Sequence, residues 1–571
     1  MKWIKTTCLA ATISLSLTSV LQAAPAIEKP VVMPEAMLSV TVSDLHGLID
    51  GVGSIAAQAS PMMNGMMLKS MLGMQLGDPS LAGIAPGKGL AVVALDMTNA
   101  FVVIEVGEAQ SAAYGAAVAS KGMQSKYENG LLVIGKAPEQ VAKGIALAGS
   151  VQKQLLVKRS PTLRVAAQPA AIVAKNGEQI QGMLQMMPMM MGAGLMQSPG
   201  MDTNTVANTT KILEGELRVL LSIASQCEVA ELVLAPENGS LRISKTYAPK
   251  AGTRLAALMN APQVNEPNPK IQAGLLGGGT MLLDCTMGNP DALAAFFVGE
   301  TEQLVKEMKL KDIDMVGLLD NMKKWMGIYG GTFCESVGFG GDGGFSVNYL
   351  MEVKDEKAAM DLFRTMEKDM ASFLKLYENL GMPMGMKFQE NVREYKGVNI
   401  HQFTVNMDLA SMPEEQRAPF ETMGLSNMSY DLAIADGVMF YAMGTTKVED
   451  LMDRVKDGSA VAQPLKARSV YPEGGFYYLD YDVASYMEFA ASIMPAGPAN
   501  PLTQMAATLK GASPLTSAGF KQDGLAMWSV NVPGDLIAKY GQMIMMMQMQ
   551  QMQQMQQGGA PQGMPGAMPV Q

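Results

Sequence analysis

The apolar positions of this chain recur in blocks, and each block opens with a short strand-like run. The four runs are Leu38-Ser39-Val40-Thr41-Val42, Leu163-Arg164-Val165-Ala166-Ala167, Thr280-Met281-Leu282-Leu283-Asp284-Cys285 and Phe476-Tyr477-Tyr478-Leu479-Asp480-Tyr481. The first alternates apolar and polar residues, as a half-buried strand does. A helix is expected after at least three of the runs, with Asp44, Asn289 before Pro290, and Asp482 standing where N-caps belong. Each block then closes on a paired-strand pattern. Glu231 to Leu234 and Leu241 to Ser244 flank Asn238-Gly239, Ser336 to Phe339 and Phe345 to Tyr349 flank Asp342-Gly343-Gly344, and Ser517 to Phe520 and Ala526 to Val530 flank Asp523-Gly524. Asn-Gly and Asp-Gly accept the positive φ angles of tight hairpins, so each is a specific local signal. The first block offers Leu90 to Leu95 and Ala100 to Val106 around Thr98-Asn99, a weaker match.

A connector lies between blocks one and two and again between blocks three and four. It is Glu128 to Gly135 followed by a helical stretch from Pro138 to Ala148, then Ala435 to Gly444 followed by Lys447 to Lys456. The same order twice predicts a tandem duplication over 37–262 and 275–540, with the Pro- and Asn-rich stretch Pro262 to Pro269 as the hinge. The expected fold class is α+β, with antiparallel hairpin sheets covered on one face by long helices. Across most of residues 37–540 these blocks resemble those of large uncharacterised secreted bacterial proteins built from repeated strand–helix–hairpin modules. That resemblance implies the modular fold and carries no active-site residue.

Residues 1–24 read as an export signal, with Lys2 and Lys5 ahead of an apolar run and small residues at Ala23-Ala24. The expected location is therefore the periplasm or the extracellular side of a cell envelope. No later stretch is apolar and unbroken for long enough to predict a membrane span. Pro188 interrupts the nearest candidate, Met183 to Met196. Removing the leader also removes Cys8 and leaves Cys227, Cys285 and Cys334. Cys285 and Cys334 are expected to meet at bridging distance with Cys227 unpaired; the alternative is three buried, inert thiols. The net charge of −10 argues against nucleic acid, whose phosphates need a basic surface.

Methionine is the compositional outlier, at 53 residues against two histidines. It is bunched at Met62 to Met74, at Met183 to Met196 and at Met543 to Met555. Met63, Met67, Met71 and Met74 form one helical stripe, and Met545, Met549, Met552 and Met555 another. Three uses are open: helix faces packed as core, a deformable apolar surface for a lipid, an apolar protein segment or a membrane interface, or thioether ligands for Cu(I). The first bunch reads as packing. Segments 183–201, a greasy loop or helical hairpin, and 543–555, an amphipathic helix within the tail 541–571, read as the binding surfaces. Past Gly558 the Gly/Pro/Gln composition predicts disorder.

No catalytic constellation is legible. His46 reads as a surface residue beside a helix cap, and His401 as the outward residue of a strand. The glycine-rich Gly338 to Gly344 lacks the Lys-Ser/Thr of a phosphate loop. Asp44, Asp284, Asp480 and Asp482 near the strand ends leave open a hydrolase using paired carboxylates. The reading is a non-catalytic envelope protein that binds an apolar ligand, lipid or protein partner, in peripheral contact with a membrane. Cu(I) binding is the first alternative and the hydrolase the second. No catalytic, cofactor-binding or metal residue is assigned.

Overall fold

The computed structural model describes residues 27–556 apart from 61–63, 97, 158–159, 196–213, 216, 276–278, 309–314, 340–344, 370, 372–373, 375–383, 409–416, 418–426, 458–464 and 493–500. The expected signal at 1–24, the turn Asp342-Gly343-Gly344 and the tail past Gln556 lie outside these residues.

In the first half, β1 (Leu38–Val42) leads into α1 (Leu45–Ala59) and α2 (Gly65–Leu76). The strands β2 (Leu90–Ala94) and β3 (Ala100–Glu105) follow, then α3 (Glu108–Ala119). A hairpin of β4 (Gln124–Glu128) and β5 (Leu131–Gly135) runs into α4 (Pro138–Val157). The half ends with β6 (Leu163–Ala167), α5 (Pro169–Leu195), β7 (Cys227–Glu237), β8 (Ser240–Pro249), α6 (Arg254–Asn260) and α7 (Pro269–Gly274).

The second half begins with β9 (Met281–Thr286), α8 (Pro290–Met308), α9 (Met315–Ile328), β10 (Tyr329–Phe339), β11 (Phe345–Val353) and α10 (Glu356–Asp369). A hairpin of β12 (Met384–Tyr395) and β13 (Val398–Met407) precedes β14 (Asn427–Ala435), β15 (Val438–Gly444), α11 (Val448–Asp457) and α12 (Lys466–Val470). The chain finishes through β16 (Tyr477–Tyr481), α13 (Val483–Ser492), α14 (Pro501–Leu509), β17 (Leu515–Gln522), β18 (Leu525–Val532) and α15 (Gly534–Gln556).

Local chemistry accounts for the punctuation. Asp44 accepts from Gly47 N–H, Asn289 from Ala292 N–H, and Asp482 from Ala484 and Ser485 N–H, so each predicted cap fills helix donors that would otherwise lack partners. Asn238-Gly239 and Asp523-Gly524 turn with positive φ at both residues, the twist a two-residue hairpin needs.

The 18 strands form one sheet, and every pairing among the described residues is antiparallel. Following the pairings across it gives β4-β5-β3-β2-β1-β6-β7-β8-β18-β17-β16-β9-β10-β11-β15-β14-β13-β12. The hairpins expected from the sequence thus join into one sheet, whose two flanks meet edge to edge at β8 and β18. Outward from that seam the two flanks run in the same order, until β12 and β13 extend the second flank alone. Ser244 pairs with Ser529 at the middle of the seam, and their hydroxyls lie 3.0 Å apart.

Helices cover both faces of the sheet, not one. One face carries Ala91, Val93, Phe101, Val103 and Val133 under α4 in the first flank. In the second flank that face carries Leu350, Ile400, Phe440 and Tyr478 under α7, α11 and α12. The opposite face meets α1 and α3 through Val42, Ile104 and Ile134, α6 and α8 through Ala526 and Trp528, and α10 through Leu432 and Met439. It meets α13 and α14 through Leu515 and Val532. An antiparallel sheet can leave one face wet. Here both strand faces are rich in apolar residues, so both must be covered. The segment read as a hinge is tied down: Val264 N–H donates to Gly288 O, Asn265 Nδ2 to Met287 O, and Asn268 N–H to Thr332 Oγ1.

Candidate binding surfaces

The methionines of α2 are not core, contrary to expectation. Met66, Met67, Met71 and Met74 are 80%, 46%, 55% and 59% exposed, and Leu72 beside them is also exposed. The helix is apolar on nearly all sides, so its inner residues Leu68 and Leu76 reach the core while a full apolar face remains outside. A helix apolar all round is ordinarily buried, whereas this one keeps its methionine face exposed. Asn64 caps its start, accepting from Met67 N–H, and Lys69 pairs with Asp50 of α1. Sequence spacing alone identifies the stripe but not which way it points.

The other two bunches divide. In α15, Met543 is buried at 5% exposure, and Gly541 lets the helix close onto α1, where a Cβ would come 2.1 Å from that of Ala59. From Ile544 onward, Ile544, Met546, Met547 and Met549 are exposed. α5 kinks at Asn176, where the backbone leaves helical φ and ψ, and then runs on through Pro188 to Leu195. Met186 on it is exposed, and Met196 and beyond lie outside the described residues. Among the described residues no helix is long and apolar enough to cross a membrane.

The expected Cys285–Cys334 bridge does not form, and all three cysteines are buried thiols outside any disulfide. β9 and β10 are neighbours, but Cys285 pairs with Phe333 while Cys334 pairs with Asp284. The thiols therefore leave the sheet on opposite faces, because side chains alternate along a strand. Burial pushes the Cys334 thiol well above its ordinary pKa, with Asp284 adding to the effect, and pushes Cys227 up to about 11. Neither is an activated nucleophile. Asp284 itself is buried and held by Arg468, whose guanidinium lies 4.4 Å from the Tyr478 ring centre, and by Gln272 Nε2 at 3.1 Å. Asp480 accepts from the N–H groups of Lys466 and Ala467. The four carboxylates singled out from sequence thus hold caps, a short helix or an arginine.

His46 is half-buried and lies 2.7 Å through Nε2 from Ile84 O. His401 is buried, not outward: it stacks on Phe388 and accepts from Asn391 N–H. The reason is the helix-covered second face, on which its strand position falls. Among the described residues no group of three His, Cys, Asp or Glu side chains is placed to hold a metal ion.

One arrangement has no counterpart in the sequence reading. Leu283, Glu335, Tyr349, Tyr441 and Leu432 form a cross-strand row on that same second face, over β9, β10, β11, β15 and β14. Glu335 is 8% exposed, and burial pushes its pKa up to about 7 although the Tyr349 hydroxyl donates to it. Tyr349 stacks on Phe333 at 5.7 Å and meets the Tyr441 ring edge-on at 5.3 Å. Burial also pushes the Tyr441 hydroxyl well up, and it shares a hydrogen bond with Tyr430, which donates to Met428 Sδ.

The fold and these surfaces define a mixed α+β protein built on one large antiparallel sheet. Comparison with models of known protein families, with curated proteins and with solved structures finds no match.

Proposed function

We propose that this chain is an exported, non-catalytic cell-envelope protein that binds an apolar partner through methionine-rich helix faces, and that its two halves arose by tandem duplication. The single observation that carries the binding reading is the outward face of α2, with Met66, Met67, Met71, Met74 and Leu72 exposed together. Methionine re-packs around varied partners because it is unbranched and polarizable. The duplication is supported by the matching flank order about the Ser244–Ser529 pair. It is supported further by one repeated contact: Glu105 accepts from Gly89 N–H at 3.0 Å, and Glu352 accepts from Thr332 N–H at 3.1 Å at the same position in the pairing pattern.

The test is purification of the full chain from its native envelope, with co-purifying lipid and protein identified by mass spectrometry. An apolar partner is expected with the wild type and lost when Met66, Met67, Met71 and Met74 are all replaced by Gln. A partner-free wild type would overturn the reading. A Cu(I) reading rests on the Met67, Met71 and Met74 thioethers sharing that exposed face. It requires a rise in melting temperature on anaerobic Cu(I) titration that the same variant abolishes.

A further inference from the structure

We propose that the first flank carries a binding slot for a long-chain fatty carboxylate. It lies on the second face of the sheet, above the row Val92, Val40, Val165, Leu232 and Lys245, with the Lys245 ammonium holding the head group. The slot uses none of the methionine-face residues and goes beyond the proposed binding role, so either can fail without the other.

Three observations carry it. First, an apolar row in the interior of the sheet is left uncovered. Its residues pair in turn across β2, β1, β6, β7 and β8, so their side chains share one face. On the first face of β1 and β2, beneath α4, Ser39, Thr41, Ala91 and Val93 are all buried. On the second face Val92 is 37% and Leu38 38% exposed, and Val40, Val165 and Leu232 are only half-buried. The helices stand at the two ends of these strands. α1 runs along one end, from Leu45 beside Val42 to Gln58, whose Nε2 donates to Gly239 O. Between them a Cβ on Gly51 would come 2.5 Å from Pro236 Cγ. α5 begins after β6 at the other end, where Lys175 Nζ donates to Leu95 O and pairs with Asp96. Val52 lies one turn beyond Leu48, on the same side of α1, and is still 37% exposed. Solvent therefore reaches the row between the two helices.

Second, the row is apolar along its length and charged at one end. Lys245 is exposed and, among the described residues, has no carboxylate within ion-pair reach. Beyond it Trp528 of β18 follows in the row, edge-on to Tyr247 at 5.2 Å, and adds no charge. An uncompensated cation at the end of an apolar slot is complementary to a ligand with an apolar tail and an anionic head. From Lys245 to Val92 the row crosses four strand spacings, about 19 Å, roughly the reach of an extended sixteen-carbon chain.

Third, the other flank closes the same place. The equivalent row is Glu335, Leu283, Leu479, Ser517 and Val530. Leu283, Ser517 and Glu335 in it are 4%, 7% and 8% exposed, and Phe339 of β10 stacks on Phe489 of α13 at 4.0 Å beside it. Val530 stands where the first flank has Lys245. The fold is therefore compatible with a covered row that ends in an aliphatic residue. The open slot and its lysine are features of the first flank, not requirements of the sheet.

The experiment is a fluorescence titration of the full chain with 11-(dansylamino)undecanoic acid, displaced by palmitate, octanoate or methyl palmitate. Palmitate is expected to displace the probe at least about a hundredfold more effectively than octanoate, which leaves half the row empty. Methyl palmitate is expected to be at least about tenfold weaker than palmitate, because it offers no charge to Lys245. Lys245→Met is expected to weaken palmitate about tenfold and to remove its advantage over the ester. Val165→Phe fills the middle of the slot and is expected to abolish displacement by palmitate, with circular dichroism checking its fold. The variant with Met66, Met67, Met71 and Met74 replaced by Gln is expected to bind as the wild type does. No displacement by palmitate, equal displacement by the ester, an unchanged Lys245→Met, or loss of binding in the methionine variant each overturns the assignment. If Val165→Phe does not fold, the ester comparison and Lys245→Met decide it.

Discussion

At neutral pH Glu335 sets a local cost on folding. Burial holds its pKa near 7 against an ordinary value of 4.5. Between those values the folded chain keeps a proton that the unfolded chain has lost. Stability therefore falls as pH rises through this window and levels off above it. The full effect is about 3 kcal/mol, and Glu335→Gln is expected to recover that amount near pH 8 while changing little near pH 4. Urea unfolding of both proteins at the two pH values checks it; parallel curves would refute the assignment. The cysteines give a second residue-scale expectation. Denatured without reductant, a chain of residues 27–571 is expected to show three alkylatable thiols by intact mass, since register places Cys285 and Cys334 on opposite faces. A species with one thiol would contradict that register.

Elements decide what a methionine does. On α15, Met543 is 5% exposed and packs inward, so Met543→Ala is expected to cost about 2–4 kcal/mol through the cavity it leaves. On α2, replacing the four exposed methionines by Gln is expected to change stability by less than about 1 kcal/mol. Thermal or urea melts of the two variants give the comparison. Both stripes have helical spacing, so spacing cannot distinguish them. The difference lies in the neighbours, with α15 drawn onto α1 by the Gly541–Ala59 contact while the methionine face of α2 turns outward. Hairpins are different, because their cause is local. Asn238-Gly239 and Asp523-Gly524 turn where expected, since positive φ is a property of those residues.

At the scale of the molecule the decisive feature is the β8–β18 seam. Each half alone would expose a long unpaired edge strand, which invites pairing with another chain. The seam is centred on Ser244 and Ser529, which occupy equivalent places in the two halves. A fragment of residues 27–262 is therefore expected to dimerise through two copies of β8 centred on Ser244. Light scattering on the eluted fragment would show a dimer, and a stable folded monomer would show that the edge needs no partner. The outer edges are managed otherwise. β4 is five residues long and carries Lys126 and Glu128, while β12 carries Lys387, Glu390, Arg393 and Glu394.

The sequence by itself determined the four opening strands, the caps at Asp44, Asn289 and Asp482, and the tight turns at Asn238-Gly239 and Asp523-Gly524. Each of these depends on residues within one turn or one hairpin of each other. Only the tertiary structure decided that the halves share one sheet, that helices cover both of its faces, and that α2 presents methionine outward. It alone brought Glu335, Tyr349 and Tyr441 into one row, from three strands spread over more than a hundred residues of chain. The physical reason is that a strand's alternation gives two faces without saying which neighbour or which helix each will meet. Burial, charge pairing and the choice of partner all follow from that meeting.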